Sequence, residues 1–396
     1  MTPQFRTLLL LATTLLVGCE TYNLERPREV LAQKQTTELI NRSEVVAVVN
    51  SVDVAADLEQ KAARWGYELK RKEALDGLNL YLLTFDCPPG IDPHVASLEL
   101  ERLQPKSTVE ANHKYILQAA AMNETGLGFS SPRIYANSLI EWPEEGCDAI
   151  FDIGIIDGGV DRDAVLGRSS AHIESRIFIS GKEAPAAQRH GTAIADILVG
   201  TGRLKNAKLY NASVVSEDEN GVQYSGVEPM LKALDWMVRS NVRVVNISLA
   251  GPYNRTLDRG IQRAADKGVI IVAAVGNSGA HSSPLYPAAL DDVIAATAVD
   301  SNGNIYNKAV QGSHVDLSAP GVEVFVGDVK TGRYVSGTSI AAPFIVAKIA
   351  SDPRYADIKS AKDIRALLSE EASDLGISGP DPIFGSGLIK ANNRCG

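Results

Sequence analysis

The 396-residue chain has only four cysteines and 6% aromatic residues. After its first twenty residues it has no apolar run near the ~18 to 20 that cross a bilayer. The few cysteines exclude a small disulfide-stapled scaffold, and nothing downstream reads as transmembrane. Runs of like positive charge are also missing: 39 Lys and Arg stand against 48 Asp and Glu, a net charge of −9. No nucleic acid partner is therefore expected. The six histidines form no HExxH or other zinc spacing, and no Asp/Asn-rich calcium loop is apparent. The sequence indicates no cofactor, and neither calcium nor another metal.

What is present is ordinary globular composition, 45% hydrophobic, in a chain long enough for two or three domains. Residues 1–19 read as a signal peptide: a polar start with Arg6, an apolar stretch from Leu8 to Val17, then Gly18. The end of this segment, Leu16-Val17-Gly18-Cys19, resembles the lipobox of bacterial lipoproteins. That resemblance implies lipidation of Cys19 as the first mature residue and anchoring to a bacterial membrane, outer or periplasm-facing. Residues 20–43 are polar and read as a tether. Three cysteines remain in an oxidising compartment. A disulfide between Cys147 and Cys395 would clip together the two ends of one domain, and the alternative is three unpaired thiols.

Two folded regions follow. Residues 44–117 have the order strand, helix, two strands, helix, strand, which predicts a small ferredoxin-like α+β sheet with both helices on one face. Residues 118–143, small and polar, read as a linker. From 144 to 396 the strands hardly alternate: AIFDIGIID, AKLYNASVV, VRVVNISL, VIIVAAV and DVIAATAV are continuous apolar runs separated by helical segments. Such strands are covered on both faces, so this domain is expected to be α/β, a doubly wound parallel sheet. Ligands in such sheets bind beyond the carboxyl ends of the strands.

Three residues at those ends suit one chemistry. Asp157 closes the first strand before Gly158-Gly159, His190 opens a helix in His-Gly-Thr, and Ser339 lies in SGTSIAAP, with Pro343 expected in the first helical turn. A serine hydroxyl needs an imidazole to accept its proton, and the imidazole needs a carboxylate to fix its tautomer. The order Asp, His, Ser on a parallel α/β sheet matches the subtilisin arrangement. Asn277, in VAAVGNSG at the end of a buried strand, supplies an amide donor for an oxyanion.

With IGIIDGGVD, QRHGTAIA, NISLAGP, AAVGNSG and SGTSIAAPF in order, residues 148 to about 390 resemble the subtilases, the subtilisin-like serine peptidases. The resemblance implies that Ser339 attacks the scissile carbonyl, with His190 as general base and Asp157 as its orienting carboxylate. Asn277 and the Ser339 N–H would stabilise the oxyanion. It also implies a cleft lined by Ser248, Leu249, Ala250 and Gly276 that pairs with an extended protein or peptide substrate. Gly158 and Ala193 depart from the commoner residues of the family without touching a catalytic atom.

The region 44–117, closing in TVEANHKYI, resembles the inhibitory propeptide of subtilases, whose last residues lie in the cleft like a product. An exported, lipid-anchored, self-processing endopeptidase with its own N-terminal domain as inhibitor is the leading expectation. A catalytically silent, subtilase-fold binding lipoprotein is the alternative, and a serine hydrolase of esters is a third. If the lipid is on Cys19 and the N-terminal domain is cut off, the catalytic domain is either released or retained through a non-covalent complex.

Overall fold

A computed structural model describes residues 39–118, 121–123, 135–167, 169–179, 186, 188–200, 203–328 and 332–395. The expected signal peptide, Cys19 and most of the tether lie outside the described residues. The N-terminal module begins with β1 (Glu44–Val49), α1 (Val52–Arg64) and β2 (Glu68–Leu75). β3 (Leu80–Asp86), α2 (Pro93–Leu103) and β4 (Thr108–Ala111) complete it. Ser51 caps α1 by accepting from Val54 N, and Asp92 caps α2 ahead of Pro93, which suits a first-turn proline. The strands form one antiparallel sheet in the order β2-β3-β1-β4.

Every residue of β1 is buried. Val45, Ala47 and Val49 face the module's own helices with Leu58, Ala62 and Leu100. Val46 and Val48, with Leu80 and Leu82, join the core of the large domain. The module is thus a layer of the larger fold.

The segment expected to be a loose linker is partly structured. After β5 (Tyr115–Leu117), β6 (Ala121–Asn123) pairs within a sheet and α3 (Ala136–Leu139) leads into Ile140 and Trp142, both core residues. The end of the tether is likewise docked: Leu39 bridges to His113, and Ile40 N donates to Asn112 O.

β7 (Cys147–Asp148) pairs with β10 (Leu204–Lys205). The central sheet comprises β8 (Ile153–Asp157), β9 (His172–Ile177), β11 (Lys208–Ser213), β14 (Val244–Ile247), β16 (Ile270–Ala274), β17 (Val293–Val299) and β18 (Leu317–Pro320). Its order is β18-β17-β16-β14-β8-β11-β9, every pair parallel. The five expected strands form its middle. β9 and β18, not anticipated, form its edges.

Helices cover both faces. One carries α5 (Gln188–Ala195), α8 (Thr338–Ser351) and α9 (Ala361–Glu371). The other carries α6 (Val227–Arg239) and α7 (Arg255–Asp266), onto which the module docks. A short α4 (Arg162–Leu166) follows β8. α8 is apolar all round and wholly buried, as expected of a helix through the core. Pro343 lies inside α8 rather than in its first turn, so the Ser339 carbonyl has no helical N–H partner there. Cys147 and Cys395 form a disulfide, and Cys87 is a buried free thiol. Among the described residues no helix is long and apolar enough to cross a membrane.

Candidate active site

Parallel strands deliver their carboxyl ends to one edge of the sheet, and the expected residues meet there. Asp157, the last residue of β8, is fully buried; its carboxylate oxygens lie 2.9 and 3.0 Å from His190 Nδ1. Oδ1 also accepts from Gly158 N at 2.6 Å, which fixes the carboxylate. His190 sits in the first turn of α5, where Gly191 lets the helix press against the Asp157 turn. A Cβ on Gly191 would come within 2.5 Å of Gly159 O and 2.7 Å of Gly158 O. His190 Nε2 lies 3.1 Å from Ser339 Oγ, in the first turn of α8. With Nδ1 held by a carboxylate, Nε2 is left as the acceptor facing the hydroxyl.

Asn277 follows β16, and its orientation is set by Thr338. Its Oδ1 accepts from Thr338 N at 3.0 Å and from Thr338 Oγ1 at 2.9 Å, leaving Nδ2 pointing into the cleft. Gly276 N donates to Thr338 Oγ1 at 3.2 Å, so Gly276 supports this array from behind. Among the described residues no hydrogen bond joins Gly276 to the strand in the cleft.

The cleft is occupied by the chain itself. β5 lies antiparallel between β13 (Gln223–Ser225), which continues to β12 (Ser216–Glu217), and β15 (Leu249–Ala250). Leu117 pairs with Leu249 and Ile116 with Ala250, while Gln118 N donates to Ser248 O at 2.9 Å. Three of the four expected cleft residues thus hold the strand through their backbone. On its other side Tyr224 pairs with Ile116 and Ser225 with Tyr115. Sequence reasoning missed β13, because nothing in Gln-Tyr-Ser marks a strand that pairs with β5.

This strand brings Gln118 to the nucleophile. Its carbonyl oxygen lies 2.5 Å from Ser339 Oγ and accepts from Asn277 Nδ2 at 3.4 Å. Past it the chain reappears as β6, antiparallel to β20 (Arg333–Ser336), whose other neighbour is β19 (Val324–Val326).

Ion pairs fasten the module around this strand. Arg71 binds Glu44 and the buried Glu228, both at 2.8 Å, and Lys232 joins Glu73 at 2.7 Å and Glu228 at 2.9 Å. Burial opposes the charge on Glu228, but Lys232 and Arg71 hold it below the ordinary carboxylate range. Arg255 bridges Glu110 at 2.5 Å and Glu101 at 3.1 Å, and Asp235 Oδ1 accepts from Gly77 N at 2.7 Å. Among the described residues no cluster of His, Cys, Asp and Glu could hold a metal ion.

The sequence profile of the subtilase family, peptidase family S8, matches residues 151–387. The chain belongs to the subtilases. Its serine peptidase relatives include subtilisin DY of Bacillus licheniformis, 32% identical over 256 residues that make up 60% of this chain and 88% of that one. Subtilisin BL of Lederbergia lenta is 31% identical over 217 residues, 51% of this chain and 76% of that one. Among solved structures, this subtilase superposes on fervidolysin of Fervidobacterium pennivorans, a keratinolytic enzyme related to subtilisin. The TM-score is 0.68 at 19% identity, over 88% of this chain and 60% of that one. The epidermin leader peptide processing serine protease of Staphylococcus aureus gives a TM-score of 0.63 at 14% identity, over 89% of this chain and 98% of that one. At these identities the superpositions speak for the fold. The subtilase is a subtilisin-like serine endopeptidase, and its substrates are proteins or peptides.

Proposed function

We propose that Asp157, His190 and Ser339 act as a catalytic triad that hydrolyses peptide bonds through an acyl-enzyme, and that the first bond cut is the chain's own Gln118–Ala119. The observation that carries this reading is the carbonyl oxygen of Gln118, 2.5 Å from Ser339 Oγ, with His190 Nε2 3.1 Å from the same hydroxyl. In the proposed step the Ser339 proton passes to Nε2 as Oγ bonds to the Gln118 carbonyl carbon. The resulting oxyanion takes hydrogen bonds from Asn277 Nδ2 and from the Ser339 N–H. Asp157 stabilises the imidazolium, which then gives its proton to the nitrogen of Ala119 as the C–N bond breaks. Water repeats the sequence on the acyl-enzyme.

On this reading the N-terminal module is an intramolecular inhibitor whose last strand fills the cleft. Export is supported by the signal-like residues 1–19 and by relatives such as a minor extracellular protease of Bacillus subtilis, 30% identical over 51% of this chain and 32% of that one. Lipid anchoring through Cys19 rests on the sequence alone. Cleavage would leave that anchor on the module, and the ion pairs and shared core between module and large domain favour a retained complex over release.

The test compares wild type with Ser339→Ala, detecting the C-terminus in membrane and soluble fractions and sequencing the mature N-terminus. A wild-type fragment beginning at Ala119, absent from the variant, is the expected result. Two full-length proteins would overturn self-processing and favour the silent scaffold.

A further inference from the structure

We propose that the cleft selects glutamine as the residue whose carbonyl is attacked, reading its carboxamide through the backbone N–H of Asn277. The proposal rests on the reading of Ser339 as a nucleophile acting at Gln118, and it adds to that reading the class of bond cut: the one that follows Gln in an extended chain.

Both ends of the Gln118 carboxamide are engaged. Oε1 accepts from Asn277 N at 2.8 Å, and Nε2 donates to Ile116 O at 3.0 Å. The orientation follows from the partners, since an exchanged amide would set its NH2 against an N–H and its oxygen against a carbonyl. Gln118 is 7% exposed, so water does not replace these bonds. Among the described residues no charged group bonds its side chain.

The donor on the enzyme is built in. Val275 N donates to Ala296 O and Gly276 N to Thr338 Oγ1, so Asn277 N is the first N–H beyond β16 that bonds to the strand in the cleft. The two bonds from Thr338 to Asn277 Oδ1 fix the residue from its other side. One residue thus offers its side chain to the scissile carbonyl and its main chain to the side chain beside it. The second partner, Ile116 O, belongs to the strand in the cleft, where pairing of Ile116 with Tyr224 and Ala250 holds it in place. Three alternatives to Gln fail for separate reasons. Methionine fills a similar volume but leaves Asn277 N without an acceptor. Asparagine carries its amide one methylene short of both partners. Glutamate satisfies Asn277 N, yet its second oxygen faces Ile116 O, where a donor is needed, and its charge is buried beside the oxygen that would become negative in the attack.

The test uses the self-processed enzyme and internally quenched peptides that carry Tyr-Ile-Leu before Gln, Met, Asn or Glu and are otherwise identical. At pH 7.5 the Gln peptide is expected to exceed the Met and Asn peptides in kcat/KM by about tenfold and the Glu peptide by about a hundredfold. The Glu-to-Gln ratio should then rise as pH falls toward 5.5, by up to about tenfold per unit, because a protonated carboxyl regains a donor for Ile116 O. Taking the ratio cancels titration of the enzyme itself. Equal kcat/KM for the Gln and Met peptides, or a Glu-to-Gln ratio that does not change with pH, would overturn the proposal. If no peptide is cut faster by wild type than by Ser339→Ala, the parent reading fails instead.

Discussion

Asn277 holds Gln118 at two points: its backbone N–H donates to the Gln118 side-chain oxygen at 2.8 Å, and its side-chain Nδ2 donates to the Gln118 carbonyl oxygen at 3.4 Å. The backbone contact binds a ground-state group, whereas the side-chain contact faces the oxygen that would become negative in the proposed attack. Asn277→Ala keeps the first and removes the second. Its kcat on a peptide ending in Gln before the bond should fall roughly 10²- to 10³-fold with KM little changed. A loss of less than about tenfold would remove Asn277 from the oxyanion role.

Gly251 shapes the space taken by Tyr115, the fourth residue before the Gln118–Ala119 bond. Tyr115 is fully buried and its hydroxyl donates to Pro252 O at 2.9 Å. A Cβ on Gly251 would stand 2.8 Å from Tyr115 Cδ1 and 2.8 Å from Lys114 O, so neither ring nor strand could keep its place. Gly251→Ala should slow cleavage at Gln118 and abolish any preference for Tyr at that position. Turnover of a peptide beginning at Leu-Gln should be nearly unchanged. Unaltered selectivity for Tyr would place the ring elsewhere in the bound substrate.

The sequence made the candidate constellation legible because the proposed chemistry needs particular residues in short runs at strand ends, and Asp157, His190, Asn277 and Ser339 each sit in one. The middle of the sheet was equally plain from continuous Val, Ile and Ala. Its edges were not: His172–Ile177 is mostly polar with only Ile173 buried, as an edge strand allows, and Leu317–Pro320 is short. β6 was invisible because its partner lies more than two hundred residues away and only pairing makes it a strand. One signal was present and unread. EVVAVV in β1 lacks alternation just as the central strands do, and the reason is the same, since α6 and α7 cover its second face. The place of Gln118 had no local mark; it follows from β5 pairing with two distant segments.

The disulfide joins residues 248 positions apart and ties the C-terminal segment to the start of the large domain. Cys395→Ser removes it at an exposed end without emptying the core. Closing so long a loop restricts the unfolded chain, so the variant should lose about 2 to 4 kcal/mol of stability. The loss should appear as a lower Tm under oxidising conditions and vanish when both proteins are compared in reductant. Equal Tm values without reductant would mean that the bridge adds no stability.

His113 makes docking of the module sensitive to acid. Its ring is buried between module and large domain, and burial, then the neighbouring His94, pushes its pKa from 6.5 down to about 4. Asn254 Nδ2 lies 2.9 Å from Nδ1, and because Asn254 Oδ1 already accepts from Thr256 N and Leu257 N, the amide is the donor. The docked imidazole is therefore neutral with its proton on Nε2, which has no hydrogen-bond partner among the described residues. An undocked His113 would regain an ordinary pKa and bind more protons than the docked one between about pH 6.5 and 4. Its contribution is thus fully present above that window and lost as pH falls through it. Glu228, held below the ordinary carboxylate range by Lys232 and Arg71 when docked, weakens docking in the same direction as pH falls into that range. Asp235, raised by burial, keeps its proton more readily when docked and shifts the balance the other way. After self-cleavage, module and large domain should co-elute at pH 7.5 and separate progressively below 6.5, by up to about tenfold in Kd per pH unit. His113→Gln, neutral throughout, should flatten that dependence; separation at the same pH in the variant would assign the acid response to another group.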